Sequence, residues 1–106
     1  MTRISALALA LCALSIGQAQ AGEHVVTQKG KAFSTKKITV QQGDSVRFVN
    51  DDPFAHNIFS LSDVKSFDLG SYGQGQSKAV VMDKAGTVDV ECAVHPDMKM
   101  TVEVRK

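Results

Sequence analysis

Apolar and β-branched residues come in short alternating runs, broken by Gly, Asp or Pro at roughly ten-residue intervals. No run keeps helical periodicity for long, so the chain can bury its apolar side chains only by stacking pleated sheets. The expected strands are residues 25–28, 37–40, 45–50, 57–60, 78–82, 87–93 and 99–105. About seven short strands predict an all-β fold, a β-sandwich in a single domain. Gln42-Gly43-Asp44 and Lys84-Ala85-Gly86 put glycine between strand-like runs, as tight hairpins or as loops at the sandwich ends. Residues 62–77 hold three glycines, several serines and few β-branched residues, and are expected to be a long surface connection. Within it, Val64, Phe67 and Leu69 are the candidates for inward packing.

The first residues follow a different grammar. Arg3 gives a positive start, residues 4–16 are an apolar run, and Ala19-Gln20-Ala21 is a small-residue cleavage site. Residues 1–21 are therefore expected to be a signal peptide, cleaved to leave a domain of residues 22–106. The apolar run is too short to span a bilayer, and nothing after it is apolar enough. Export to the periplasm as a soluble protein, with no membrane insertion, is the expectation. Of the 12 basic residues only Arg3 falls in the leader, so the rest match the 11 acidic ones in number. Nothing in that balance recruits nucleic acid.

Leader removal also takes Cys12 and leaves Cys92 as the sole cysteine, without a disulfide partner. Strand parity sets its direction: Val88, Val90 and Cys92 share one face, Asp89 and Glu91 the other. Met100, Val102 and Val104 share a face on the returning strand, so residues 93–97 form a loop between two core strands. That loop reads Ala-Val-His-Pro-Asp before Met98, and Phe54-Ala55-His56-Asn57 supplies another imidazole upstream. Two imidazoles and a thiolate in a plane, with a weakly held thioether, suit a copper ion that alternates between Cu(I) and Cu(II). An isolated histidine is more often a satisfied core or strand-end residue. His56 differs in standing between the Asp51-Asp52-Pro53 turn and a strand, where a second strand-end loop can meet it.

Zinc would accept the cysteine and both histidines but gains little from a thioether. A zinc hydrolase also needs a general base and a substrate pocket that so small a sandwich hardly offers. A Cys92 nucleophile paired with His95 lacks a third, orienting group. The thioether could come from Met98 or Met100. Pro96 and the position of Met98 ahead of the last strand favour Met98, whereas Met100 has the parity of ordinary core. Gly22-Glu23-His24 at a freed amino terminus could wrap a second Cu(II) in a square plane, unless pairing of the first strand forbids it.

The combination of D-x-P-x-x-H-N with a strand-flanked C-x2-H-P-x-M resembles the cupredoxins, the small type 1 copper proteins. It is most similar to their amicyanin-like branch, which has this short loop and a Val-rich last strand. The resemblance covers nearly all of residues 22–106 and implies a Greek-key β-sandwich. It further implies that His56, Cys92 and His95 form the plane around one copper ion, that Met98 is axial, and that the Asn57 amide donates to the sulfur. The implied role is a monomeric one-electron carrier and not an enzyme. Its redox protein partners would dock near His95, where Phe54, Pro53 and Pro96 offer a small apolar rim. A copper-trafficking or copper-sequestering protein is the alternative.

Overall fold

The computed structural model describes residues 21–106. The expected leader, residues 1–21, lies outside the described residues except for Ala21, and Cys12 lies outside them too. Eight strands are formed: β1 (Glu23–Gln28), β2 (Lys37–Gln41), β3 (Ser45–Asn50), β4 (His56–Leu61), β5 (Ser66–Tyr72), β6 (Ser77–Val81), β7 (Gly86–Cys92) and β8 (Lys99–Arg105). They make two sheets, ordered β1-β3-β6 and β2-β8-β7-β4-β5. β1 runs parallel to β3 and β2 parallel to β8, while the remaining pairs are antiparallel. The result is a Greek-key β-sandwich. Both glycine turns join a strand of one sheet to a strand of the other, so they are sandwich-end loops and not hairpins. Gly86 has no room for a side chain: its φ is +139°, and an added Cβ would lie 2.7 Å from Val64 Cγ2.

The core is what strand parity demands. Val26, Val46, Phe48, Ile58, Met82, Val88, Val90 and Val102 are fully enclosed, and Cys92 and Met100 nearly so. Phe48 sits among them with Phe33 edge-on at 6.3 Å and Phe67 at 6.2 Å. Asp89 lies on the outer face as expected.

The strand count needs correction from seven to eight, because β5 occupies the stretch expected to be a surface connection. It is an edge strand paired with β4 alone, and a bulge hides its alternation. Phe59 stands opposite Asp68 and Asn57 opposite Ser71, so two residues of β5 face one of β4. Gly70, at φ +71°, absorbs the extra residue. Phe67 and Leu69 pack against the core as anticipated, and Val64 with them. Beyond the bulge the parity flips and Tyr72 turns inward.

At the end of the sandwich that carries the β2–β3 turn, Asp44 ties β1 to that turn. Its carboxylate accepts the Gly22 amide at 2.8 Å, the His24 ring at 2.9 Å and the Gln41 amide at 3.0 Å. Those hydrogen bonds, that of Gly22 foremost, lower its pKa from 3.8 to about 2. A carboxyl more acidic in the folded than in the unfolded chain stabilises the fold above about pH 4, and the contribution is lost as pH falls toward 2. Asp44→Asn is expected to be less stable at neutral pH, with a flatter dependence between about pH 4 and pH 2. Urea titrations at a series of pH values check this; parallel curves for the two proteins would contradict it.

Candidate metal centre

Strand β4 begins at His56 and alternates His56, Ile58 and Ser60 inward. Ile58 pairs with Cys92 at the end of β7, so His56 and Cys92 open onto the same inner space at one end of the sandwich. The Ala93 amide donates to the Asn57 carbonyl at 2.9 Å and keeps the strands together as they part. The chain then reverses between His95 and Met98, whose amide donates to the His95 carbonyl at 2.9 Å. Pro96 takes the second position of this turn, where its fixed φ is preferred. The reversal brings the His95 ring back over Cys92.

Three donor atoms converge as a result. His56 Nδ1 lies 3.6 Å from Cys92 Sγ, His95 Nδ1 lies 3.7 Å from it, and the two nitrogens are 3.2 Å apart. The centre of that triangle is about 2 Å from each corner, the length of a metal–imidazole bond. Sulfur and two imidazoles at such spacing fit a copper ion, and the residues could hold one. The Asn57 amide donates to Cys92 Sγ at 3.5 Å, as the family resemblance implied. Met98 is 1% exposed and Met100 3%; Met100 lies inside β8 opposite Val90, and Met98 just outside it.

Sequence reasoning treated Asp52 only as part of a turn, yet it holds the site together. The carboxylate is 3% exposed and lies 2.7 Å from Nε2 of His56, whose other ring nitrogen faces the triangle. It also accepts the Gly30 and Lys31 amides at 2.6 and 3.1 Å. Burial pushes the Asp52 carboxyl up, but the His56 ring and the two amides outweigh it and hold the pKa below the ordinary value. Asn50 fixes the loop from beneath: its side chain accepts from the Asp52 amide and donates to the Phe54 and Tyr72 carbonyls. The available signal was the four-residue spacing from Asp52 to His56.

Solvent access is uneven. His56 is fully buried, and Phe54 covers the pair, its ring centre 5.5 Å from that of His56 and 5.4 Å from that of His95. His95 is half-buried, in a shallow groove with Lys31, Val94, Pro96 and Asp97. His24 is at the other end of the sandwich. Pairing of β1 with β3 starts at Glu23 and the His24 ring is engaged by Asp44, an arrangement that opposes the square-planar wrap considered above.

A family model for copper binding proteins of the plastocyanin/azurin family matches residues 20–105. The chain is 28% identical over 106 residues to the methylamine utilization protein MauL of Methylorubrum extorquens, covering 98% of this chain and 93% of that one. Among solved structures it is similar to a reduced amicyanin mutant, with a TM-score of 0.73, 25% identity and coverage of 83% and 87%. It also overlays a copper-containing nitrite reductase from Thermus scotoductus at a TM-score of 0.74 and 23% identity. That overlay uses 84% of this chain but spans only 23% of the reductase, so it bears on fold alone.

Asp52→Ala is expected to weaken copper binding by about 10- to 100-fold, since it frees the ring of the candidate ligand His56 to turn. Asp52→Asn should recover part of the loss because the amide oxygen can still accept. Competition against a chromophoric copper chelator checks this, and unchanged affinity in Asp52→Ala would contradict it.

Proposed function

Because the chain belongs to the plastocyanin/azurin family of copper-binding proteins, we propose that it is an exported one-electron carrier. Its single copper ion would be held by His56, Cys92 and His95, with Met98 supplying the weakly held thioether. The observation that carries this reading is the near-equilateral triangle of Nδ1, Sγ and Nδ1 atoms, with edges of 3.2–3.7 Å. Bound there, copper supplies a Cu(I)/Cu(II) couple.

The protein's part is to keep the donors still. His56 starts a paired strand and is anchored by Asp52, Cys92 ends another with the Asn57 amide on its sulfur, and His95 is set by the Pro96 turn. Donors fixed this way rearrange little when the charge of the site changes. Phe54 and the buried side chains keep water away, which leaves the His95 edge as the route for electrons. Val94, at 59% exposed, and Phe54, at 36%, give that route an apolar rim suited to brief encounters through a small interface. No substrate bond is made or broken. Removal of residues 1–21, release into the periplasm and action as a monomer complete the proposal.

A trafficking or sequestering protein would draw on Met100 and His24 as surplus ligands. Met100 is locked in β8 and His24 is bound to Asp44, so neither favours that reading.

The copper-loaded protein is expected to show an intense thiolate-to-Cu(II) absorption and a reversible one-electron wave. Met98→Leu should shift both band and potential. Met100→Leu should leave them in place and cost under about 1.5 kcal/mol of stability, as volume-conserving core exchanges do. Visible spectroscopy and voltammetry of the two variants check this. A band that responds to Met100→Leu and ignores Met98→Leu would reverse the axial assignment, and a band that survives Cys92→Ser would overturn the site.

A further inference from the structure

Basic and acidic residues balance over residues 22–106, and five of the lysines come together at the metal-centre pole. The β1–β2 connection emerges at the metal-centre pole, since the Gln28 carbonyl accepts the Asp51 amide, and it carries Lys29, Lys31 and Lys36. The Lys36 carbonyl accepts the Thr101 amide and Lys37 pairs with Thr101. That brings both lysines beside the start of β8, where Lys99 follows Met98. All five lysines are exposed, and none is held in an ion pair among the described residues. Against them at this pole stand exposed Asp51 and Asp97, with Glu91 across the strand pair from Lys99 and exposed Asp89 across it from Thr101. Asp52 is buried and engaged. The opposite pole has Asp44, Asp63 and Asp83 together with Lys65, which pairs with Asp83 at 3.0 Å, and the exposed Lys84, Arg105 and Lys106.

Lys31 is placed with particular care. Gly30 and Lys31 both have left-handed φ, +65° and +57°, a conformation that a lysine seldom adopts and that needs support. The tight turn closed by the Lys29 amide on the Ala32 carbonyl requires that conformation, and Asp52 adds support by accepting the Gly30 and Lys31 amides. The ammonium then lies 5.7 Å from the centre of the Phe54 ring, and Lys31 lines one groove with His95. The carboxylate that anchors the buried histidine thus also helps to set a cation beside the half-buried one.

We propose that the His95 face is a docking surface for a redox protein with an acidic rim around its own electron port, steered by Lys31 with Lys29, Lys36, Lys37 and Lys99. The inference rests on the carrier reading above and adds the charge of the partner. An apolar centre with an excess of one sign of charge around it raises encounter rates with the opposite sign and loses that advantage in salt.

The test uses the full-length protein after its natural processing. In stopped flow, the Cu(I) form passes one electron either to hexacyanoferrate(III), giving Fe(II), or to cationic tris(phenanthroline)cobalt(III), giving Co(II). The anionic oxidant is expected to slow by about tenfold between about 10 and 300 mM salt, and the cationic one to accelerate. Lys31→Gln should slow the anionic oxidant with the reduction potential unchanged, and Lys84→Gln at the far pole should do nothing. Amide NMR titrations with polyglutamate and with phosphatidylglycerol vesicles, with and without copper, give a second reading that needs no electron transfer. Salt-sensitive shifts with polyglutamate at Lys31, Phe54 and His95 are expected. Rates indifferent to probe charge, equal effects of both lysine variants, or preference for the vesicles would overturn the acidic-partner proposal while leaving the carrier intact. Absence of any one-electron couple would instead overturn the carrier reading and this proposal with it.

Discussion

Everything at the metal centre depends on Ile58 standing opposite Cys92 in the β4–β7 pair. Side chains alternate along a strand, so a slip of one residue would turn His56 to the outer face and leave Cys92 without its nearest imidazole. The register is held by burial: Ile58, Val88 and Val90 are fully enclosed, and a slip would expose each of them. Withdrawing one such side chain from the core costs about 1.5–3 kcal/mol. The same apolar alternation that folds the sandwich therefore aligns two of the proposed ligands, and the Pro96 turn adds the third.

A second constraint acts through polar groups. Asn50 is fully buried at the end of β3 and shapes the 51–55 loop; that loop delivers Asp52; Asp52 fixes His56 and the β1–β2 connection together. Each buried polar group in this chain of contacts is satisfied by the next, which is the condition for such groups to specify a structure and not destabilise it. The inner and outer histidines are treated differently in consequence. One is immobilised by a carboxylate and shut from solvent, while the other is left at the surface beneath an apolar rim and a positioned lysine.

Much of this was legible in the sequence because its signals were local. Period-two alternation gave most of the strands and the inward direction of Cys92, and the short Cys-to-Met spacing with Pro96 gave the candidate ligand loop. Less legible were features that depend on long-range pairing. β5 escaped because Gly70 reverses its parity midway, so its apolar residues no longer alternate in the text of the sequence. Asp52 escaped because an aspartate before proline usually marks a solvated turn, and only the fold encloses it. The lysine-rich pole escaped because residues 29–37 and 99 are distant in the chain and meet through the parallel β2–β8 pair. Composition reports the sum of charges and is blind to where topology puts them.

The account stands on one copper ion held between β4 and the β7–β8 loop. Anomalous X-ray scattering from crystals of the copper-loaded protein tests that most directly. The account predicts a single strong copper peak about 2 Å from Nδ1 of both His56 and His95 and from Cys92 Sγ. A peak at His24 and Asp44 alone, or one that leaves Cys92 uncoordinated, would contradict it.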